Sequence, residues 1–128
     1  MPETVTLPGL ASMVPPARVV VRNILRGTPR VDDAELIVSE LASNAVRHSR
    51  ARDGGEFRVT VDVGPGRVRI EVADPGAGPP VEIPADERDQ YGRGLEIVAA
   101  FADKWGHDRA ADGASVYWAE LMWEPTDG

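Results

Sequence analysis

Two alternating runs separated by a short link restrict this chain more than anything else in it. In Phe57-Arg58-Val59-Thr60-Val61-Asp62-Val63 and in Val68-Arg69-Ile70-Glu71-Val72, apolar and polar residues take turns. Successive strand side chains point to opposite faces, so each run buries one face and wets the other, as antiparallel strands do. The link Gly64-Pro65-Gly66 is short enough for a hairpin. A hairpin with a single apolar face needs a cover, and the rest of the chain supplies helices.

Ala34, Ile37, Val38, Leu41, Ala42, Ala45 and Val46 recur at helical spacing. They predict a central helix from about Asp32 to Ser49, with Asp32 and Glu35 placed as a capping box. Pro15-Pro16 precedes a second stripe, Ala17, Val20, Val21, Ile24 and Leu25, which Gly27 and Pro29 stop. That stripe and the N-terminal edge are also where a homodimer would form, although such a stripe is more often core. A third helix is expected over 95–104, opened by Gly92-Arg93-Gly94, with Leu95, Val98, Ala99, Phe101 and Ala102 as its core face. Thr4-Val5-Thr6-Leu7 reads as an edge strand, 81–91 as a mobile loop, and the stretch after Gly106 as a turn reaching Ala114. Ser115 to Trp123 is the last strand, and Pro125 opens a tail. Trp105, Trp118 and Trp123 are expected to pack in the core or at an edge, Trp123 also being a candidate contact residue. The order (β)-α-α-β-β-loop-α-β gives an α+β class: a two-layer sandwich with helices on one face of a mostly antiparallel sheet. One domain over 1–128, with a core of about 14–123, fits this length.

Composition removes several function classes. The absence of cysteine excludes disulfides, thiol nucleophiles and cysteine-ligated zinc, and two histidines are too few for most histidine-built metal sites. A net charge of -7 argues against direct nucleic-acid binding, which needs a basic surface. No apolar run approaches the ~20 residues of a membrane span and no signal-peptide pattern opens the chain, so a soluble, cytoplasmic protein is expected.

Three segments carry residues suited to chemistry, and each also has a plain reading. Glu40, Asn44 and His48 stand four apart as a polar stripe on the central helix. By itself this is most often a solvated flank, but a carboxylate on a rigid helix can serve as a general base and an amide oxygen suits magnesium. Asp74-Pro75-Gly76-Ala77-Gly78 has the composition of an ordinary turn. Equally, an acid at a strand end can accept from a ligand amino group while the glycines let backbone come close. Gly92-Arg93-Gly94-Leu95 opens a helix, where free N–H groups favour anions. It is neither a Rossmann fingerprint nor a Walker A motif.

The three in this order, Glu40-x-x-x-Asn44, Asp74-x-Gly76-x-Gly78 and Gly92-x-Gly94, resemble the N, G1 and G2 boxes of the GHKL superfamily of ATP-binding domains. That superfamily includes DNA gyrase, MutL and the histidine kinases. The length, the compact Gly92-Arg93-Gly94-Leu95 and the closing Ser115-Val116-Tyr117-Trp118 resemble most the small anti-sigma-factor serine/threonine kinases of the RsbW/SpoIIAB type, over roughly 14–123. The resemblance implies ATP and Mg2+ as ligands, with Glu40 as catalytic base and Asn44 as magnesium ligand. His48 would lie close to the nucleotide, and Asp74 would bind the adenine amino group between Gly76 and Gly78. Gly92, Arg93, Gly94 and Leu95 would line the phosphates, and Ser115 would sit where the family usually has threonine. Residues 79–91 would form a lid ordered by nucleotide. A sigma factor and an anti-anti-sigma (STAS-type) protein are the implied partners, the latter phosphorylated on serine or threonine. The alternatives are an ATP-responsive module that holds a partner without phosphorylating it, and a domain that binds no nucleotide.

Overall fold

The structure is a computed structural model that describes residues 2–48, 54–76, 95–109 and 113–125. Strand β1 (Pro2–Pro8) leads through a 3-10 turn (Ala11–Met13) into α1 (Val14–Ile24) and α2 (Val31–His48). β2 (Glu56–Gly64) and β3 (Arg67–Asp74) follow, then a helical stretch over 95–101, here α3, and finally β4 (Lys104–Arg109) and β5 (Ser115–Met122). The five strands form one sheet in the order β1-β2-β3-β5-β4, antiparallel at every pairing. Helices packed on one face make this the expected two-layer α+β sandwich.

The alternation of the hairpin survives into the packing. Phe57, Val59 and Val61 of β2 and Val68, Ile70 and Val72 of β3 are buried, whereas Arg58, Thr60, Arg69 and Glu71 are not. The turn holds because Pro65 is followed by Gly66 at a φ of +67°, the type II arrangement. A Cβ on Gly66 would also stand 2.5 Å from the carbonyl of Trp123. Against this face lie Ala17 and Val21 of α1, Leu25 just past its end, and Ala34, Ile37, Val38, Leu41, Ala42 and Ala45 of α2, all essentially without solvent contact. Each fully buried Leu, Ile, Val or Phe contributes about 1.5–3 kcal/mol, so the stripes and the alternating runs are two halves of one core. Trp123 packs half-buried against that core.

The expectations fail at three places. α2 begins at Val31, so Asp32 lies inside its first turn, and Glu35 is engaged by Arg22 of α1; no capping box forms. Asp32 and Asp33 still complement the positive end of the helix dipole. α3 is helical only to 101, and Ala99 and Phe101, assigned to its core face, are exposed; Val98 is the buried residue, with Leu95 and Ala102 packed beside it. The expected turn after Gly106 is instead part of β4, which pairs along the outer edge of β5 from Lys104↔Glu120 to Arg109↔Ser115. The proline pair of α1 sits within its first turn, where a missing N–H costs nothing.

Arg30 ties the layers together. Its guanidinium donates to the Asp33 carboxylate at 2.8 Å, to Asp103 at 3.1 Å, and to the carbonyls of Met122 and Phe101, both at 2.8 Å. One side chain thus joins the start of α2, the end of α3 and the end of β5. Arg30→Ala is expected to cost about 2 kcal/mol, less than the sum of four charge-assisted bonds because the group is partly solvated. Arg30→Lys is expected to lose nearly as much, since a point charge cannot fork to four acceptors. Urea unfolding of the two variants checks both values.

Candidate functional site

Among the described residues, three polar side chains are buried: Asn44, Asp74 and Ser115, at 6%, 8% and 6% exposure. All three belong to the set singled out from the sequence. Burying a polar group without full satisfaction is costly, which makes these three positions candidates for contact with a ligand.

Asp74 ends β3 on the same side as Ile70 and Val72, which places its carboxylate on the helix-covered face. The register of β3 with β5 sets it directly opposite Ser115. The Gly76 N–H donates to Asp74 Oδ1 at 2.7 Å, leaving Oδ2 open. Gly76 has φ +81°, and a Cβ there would stand 2.1 Å from the carbonyl oxygen of Gly113, just before β5. Both the dihedral and the space therefore require glycine, and the turn after β3 is pressed against the approach to β5. Burial pushes the Asp74 carboxyl up to about 6, against the opposing pull of the Gly76 N–H and the Arg109 charge. A buried acceptor with one oxygen unclaimed is suited to a neutral donor such as an exocyclic amino group.

On α2, Asn44 is buried and its Nδ2 has no hydrogen-bond partner among the described residues. An orphaned buried donor costs about 1–3 kcal/mol, which a ligand acceptor would recover. The solvated-flank reading of the stripe fails at this residue. Glu40, one turn earlier, is half-buried. His48 is the last residue of α2 and its side chain lies outside the described set. Leu95 packs half-buried against the core at the start of the described part of α3. Gly78, Gly92, Arg93, Gly94 and the 79–91 lid lie outside the described residues.

The sequence reading missed His107. β4 carries it on the same side as Tyr117, onto which its ring stacks with centroids 4.1 Å apart and planes 7° apart. His107 Nε2 and Ser115 Oγ are 2.9 Å apart. Although His107 lies on the exposed edge strand, partial burial of its ring, then the Arg109 charge, hold its pKa below the usual histidine range, with Asp108 opposing. The signal was present as period 2 in Trp105, His107 and Arg109, but no apolar face accompanied it. A cavity of about 560 Å³, lined by Thr6, Phe57, Arg58, Ala73, Asp74 and Val116 among others, reaches the Asp74 end of β3.

Known proteins give a consistent picture. The family model described as histidine kinase-like ATPase domain matches residues 7–118. Among solved structures, the RsbU and RsbW domains of Rv1364c from Mycobacterium tuberculosis are similar, with a TM-score of 0.71 at 19% identity. The similarity covers 100% of the present chain and 35% of that one, so the chain spans about a third of that protein's length. The SiaB–SiaC complex from Pseudomonas aeruginosa is similar with a TM-score of 0.59 at 12% identity, covering 94% of this chain and 89% of that one. No curated protein matches the sequence. At such identities the structural likeness establishes the fold alone. Among the described residues, no helix is long and apolar enough to cross a membrane.

Proposed function

Since the chain belongs to the family of histidine kinase-like ATPase domains, we propose that it binds ATP and acts as an anti-sigma factor. In this reading it is a serine/threonine kinase that phosphorylates an anti-anti-sigma partner and holds a sigma factor. The observation that carries the nucleotide part is the buried Asp74 carboxylate, fixed through one oxygen by Gly76 and open at the other. Asn44 fits the same ligand from the helical side, because its buried amide has an unpaired donor. Support for a protein partner comes from the similar structures, one of which is a complex of SiaB with SiaC.

Each residue has a distinct part. Asp74 Oδ2 accepts from the base amino group, and Ser115 beside it contributes a hydroxyl. Gly76, locked against Gly113, lets the backbone form a wall of the base pocket. The amide oxygen of Asn44 would hold magnesium, which keeps most of its waters and takes few protein ligands beside phosphates, while its unpaired Nδ2 would be left to donate to a ligand acceptor. When bound, the metal neutralises phosphate charge, the main need of phosphoryl transfer together with positioning. Glu40, on a helix anchored by Ile37, Val38 and Leu41, accepts the proton of the attacking hydroxyl.

Calorimetry with Mg-ATP tests the base reading, and radiolabelled ATP with STAS-type partners tests transfer. Saturable binding with label appearing on a partner serine or threonine is the expected result. No binding at millimolar nucleotide by folded protein would sink the proposal entirely. Binding without transfer would leave an ATP-responsive module that grips its partner and performs no chemistry.

A further inference from the structure

We propose that His107 is a positioning residue of the base pocket: its Nε2–H donates to the Ser115 hydroxyl oxygen, committing that hydroxyl's own proton to the pocket beside the Asp74 carboxylate. The inference rests on the ATP-binding reading and adds to it the means by which a 6-aminopurine is told from a 6-oxopurine.

The geometry leaves His107 little freedom. Its ring is fixed parallel to Tyr117 at 4.1 Å, and in that orientation Nε2 lies 2.9 Å from Ser115 Oγ. Ser115 in turn is buried directly across from Asp74. Directly opposed residues on one face have Cβ atoms about 4.5–5.5 Å apart, so one planar base edge can meet both. Among the described residues, the Ser115 hydroxyl has His107 as its side-chain partner.

A neutral imidazole has one N–H and one lone pair, and a hydroxyl has one proton to place. Partial burial and the Arg109 charge lower the His107 pKa, which favours the neutral ring near pH 7, so the direction of this one bond decides what Ser115 offers. Were Ser115 to donate to His107, serine and aspartate would both present lone pairs, and two buried acceptors would lie side by side. That pair suits a ligand with two adjacent donors. With His107 donating, Ser115 presents a proton next to the acceptor Oδ2 of Asp74. An adjacent donor and acceptor complement the amino group and ring nitrogen of a 6-aminopurine. A 6-oxopurine carries the opposite pattern and leaves both groups unpaired, which is how polar sites reject near-isosteres.

The plain alternative is that His107 only packs on Tyr117 at a sheet edge. His107→Phe separates the two, because it keeps a ring for stacking and removes both nitrogens. Wild type is expected to bind ATP at least about tenfold more tightly than inosine triphosphate by calorimetry, and His107→Phe to reduce that preference to about twofold. His107→Gln, which restores a donor, should recover much of it. Ser115→Ala should lose the preference as well, with no further loss on adding His107→Phe. A purely structural role would weaken both nucleotides alike, and an unchanged preference in His107→Phe overturns the inference while leaving ATP binding intact. If wild type binds neither nucleotide, the functional reading itself has failed and this inference with it. Should His107→Phe not fold, the 15N shifts of the wild-type imidazole decide: the Nε2–H tautomer with ATP bound is expected, and the Nδ1–H tautomer refutes the proposal.

Discussion

Asp74→Asn is expected to abolish measurable ATP binding and, in the same protein, to stabilise the ligand-free fold at neutral pH. The two effects have one cause. Asp74 is buried and its carboxyl is pushed up to about 6 from 3.8, so keeping it charged at pH 7.5 opposes folding. About two units at 1.36 kcal/mol each bound that cost at about 3 kcal/mol, and a neutral amide that keeps the Gly76 hydrogen bond should recover about 1–2 kcal/mol of it. The pH dependence follows from the direction of the shift. Below about pH 4 the carboxyl is protonated in both folded and unfolded chains, and the variant has no advantage. Between about 4 and 6 the folded chain retains a proton that the unfolded chain releases, so wild-type stability falls as pH rises. Above about 6 the full difference is present. Binding moves the other way. Gly76 holds the amide oxygen of the variant, and the NH2 that remains faces the amino group of the base, donor against donor. A loss of about a hundredfold or more in affinity is expected. Urea unfolding at pH 4 and 7.5, paired with calorimetry, reads both. An equal stability gain at the two pH values, or unchanged ATP affinity, contradicts the account.

Such a trade between stability and binding explains why parts of this site were legible in the sequence and others were not. Local pattern exposes whatever one element decides by itself. The stripe from Ala34 to Ala45 and the alternation from Phe57 to Val72 each determine a buried face within one helix or one hairpin, and the core follows them closely. Asn44, Asp74 and Ser115 were legible as motif members, and their burial adds what the motif lacks: a reason why these polar groups are costly to keep. The pairing of Asp74 with Ser115 depends on β5 entering the sheet beside β3, a contact remote in sequence. β4 was illegible for a different reason. Lys104-Trp105-Gly106-His107-Asp108-Arg109 runs along the sheet margin, and apart from Gly106 every residue in it is exposed. An edge strand with no buried face has no period to show, and its charged character is what protects such edges from pairing with other chains. The helical spacing of Val98, Phe101 and Ala102 then extends the apparent helix toward it. His107 was hidden with the strand that carries it, although Ser115, its partner, was already singled out.

Glu40→Gln is expected to lower phosphoryl transfer to the partner by about a hundredfold to ten-thousandfold, the range for losing a general base, with ATP affinity within about threefold of wild type. The substitution is nearly isosteric and removes only the capacity to take a proton. Position argues for so clean a separation. Glu40 is half-buried one helical turn before Asn44, and its carboxylate has no hydrogen-bond or ion-pair partner among the described residues. It is therefore not needed to tie α2 to the sheet, a task done by Ile37, Val38, Leu41 and Ala45. Nor does it belong to the base pocket, where Asp74 and Ser115 sit at strand ends. A fall in kcat without a matching change in nucleotide affinity marks an interaction made in the transition state alone. Single-turnover transfer of labelled phosphate, beside calorimetric titration of ATP, resolves the two quantities. Transfer at the wild-type rate would remove Glu40 from the chemistry. Loss of ATP binding in parallel with transfer would make it a binding residue, and the base would have to be sought elsewhere on the nucleotide-facing side of α2.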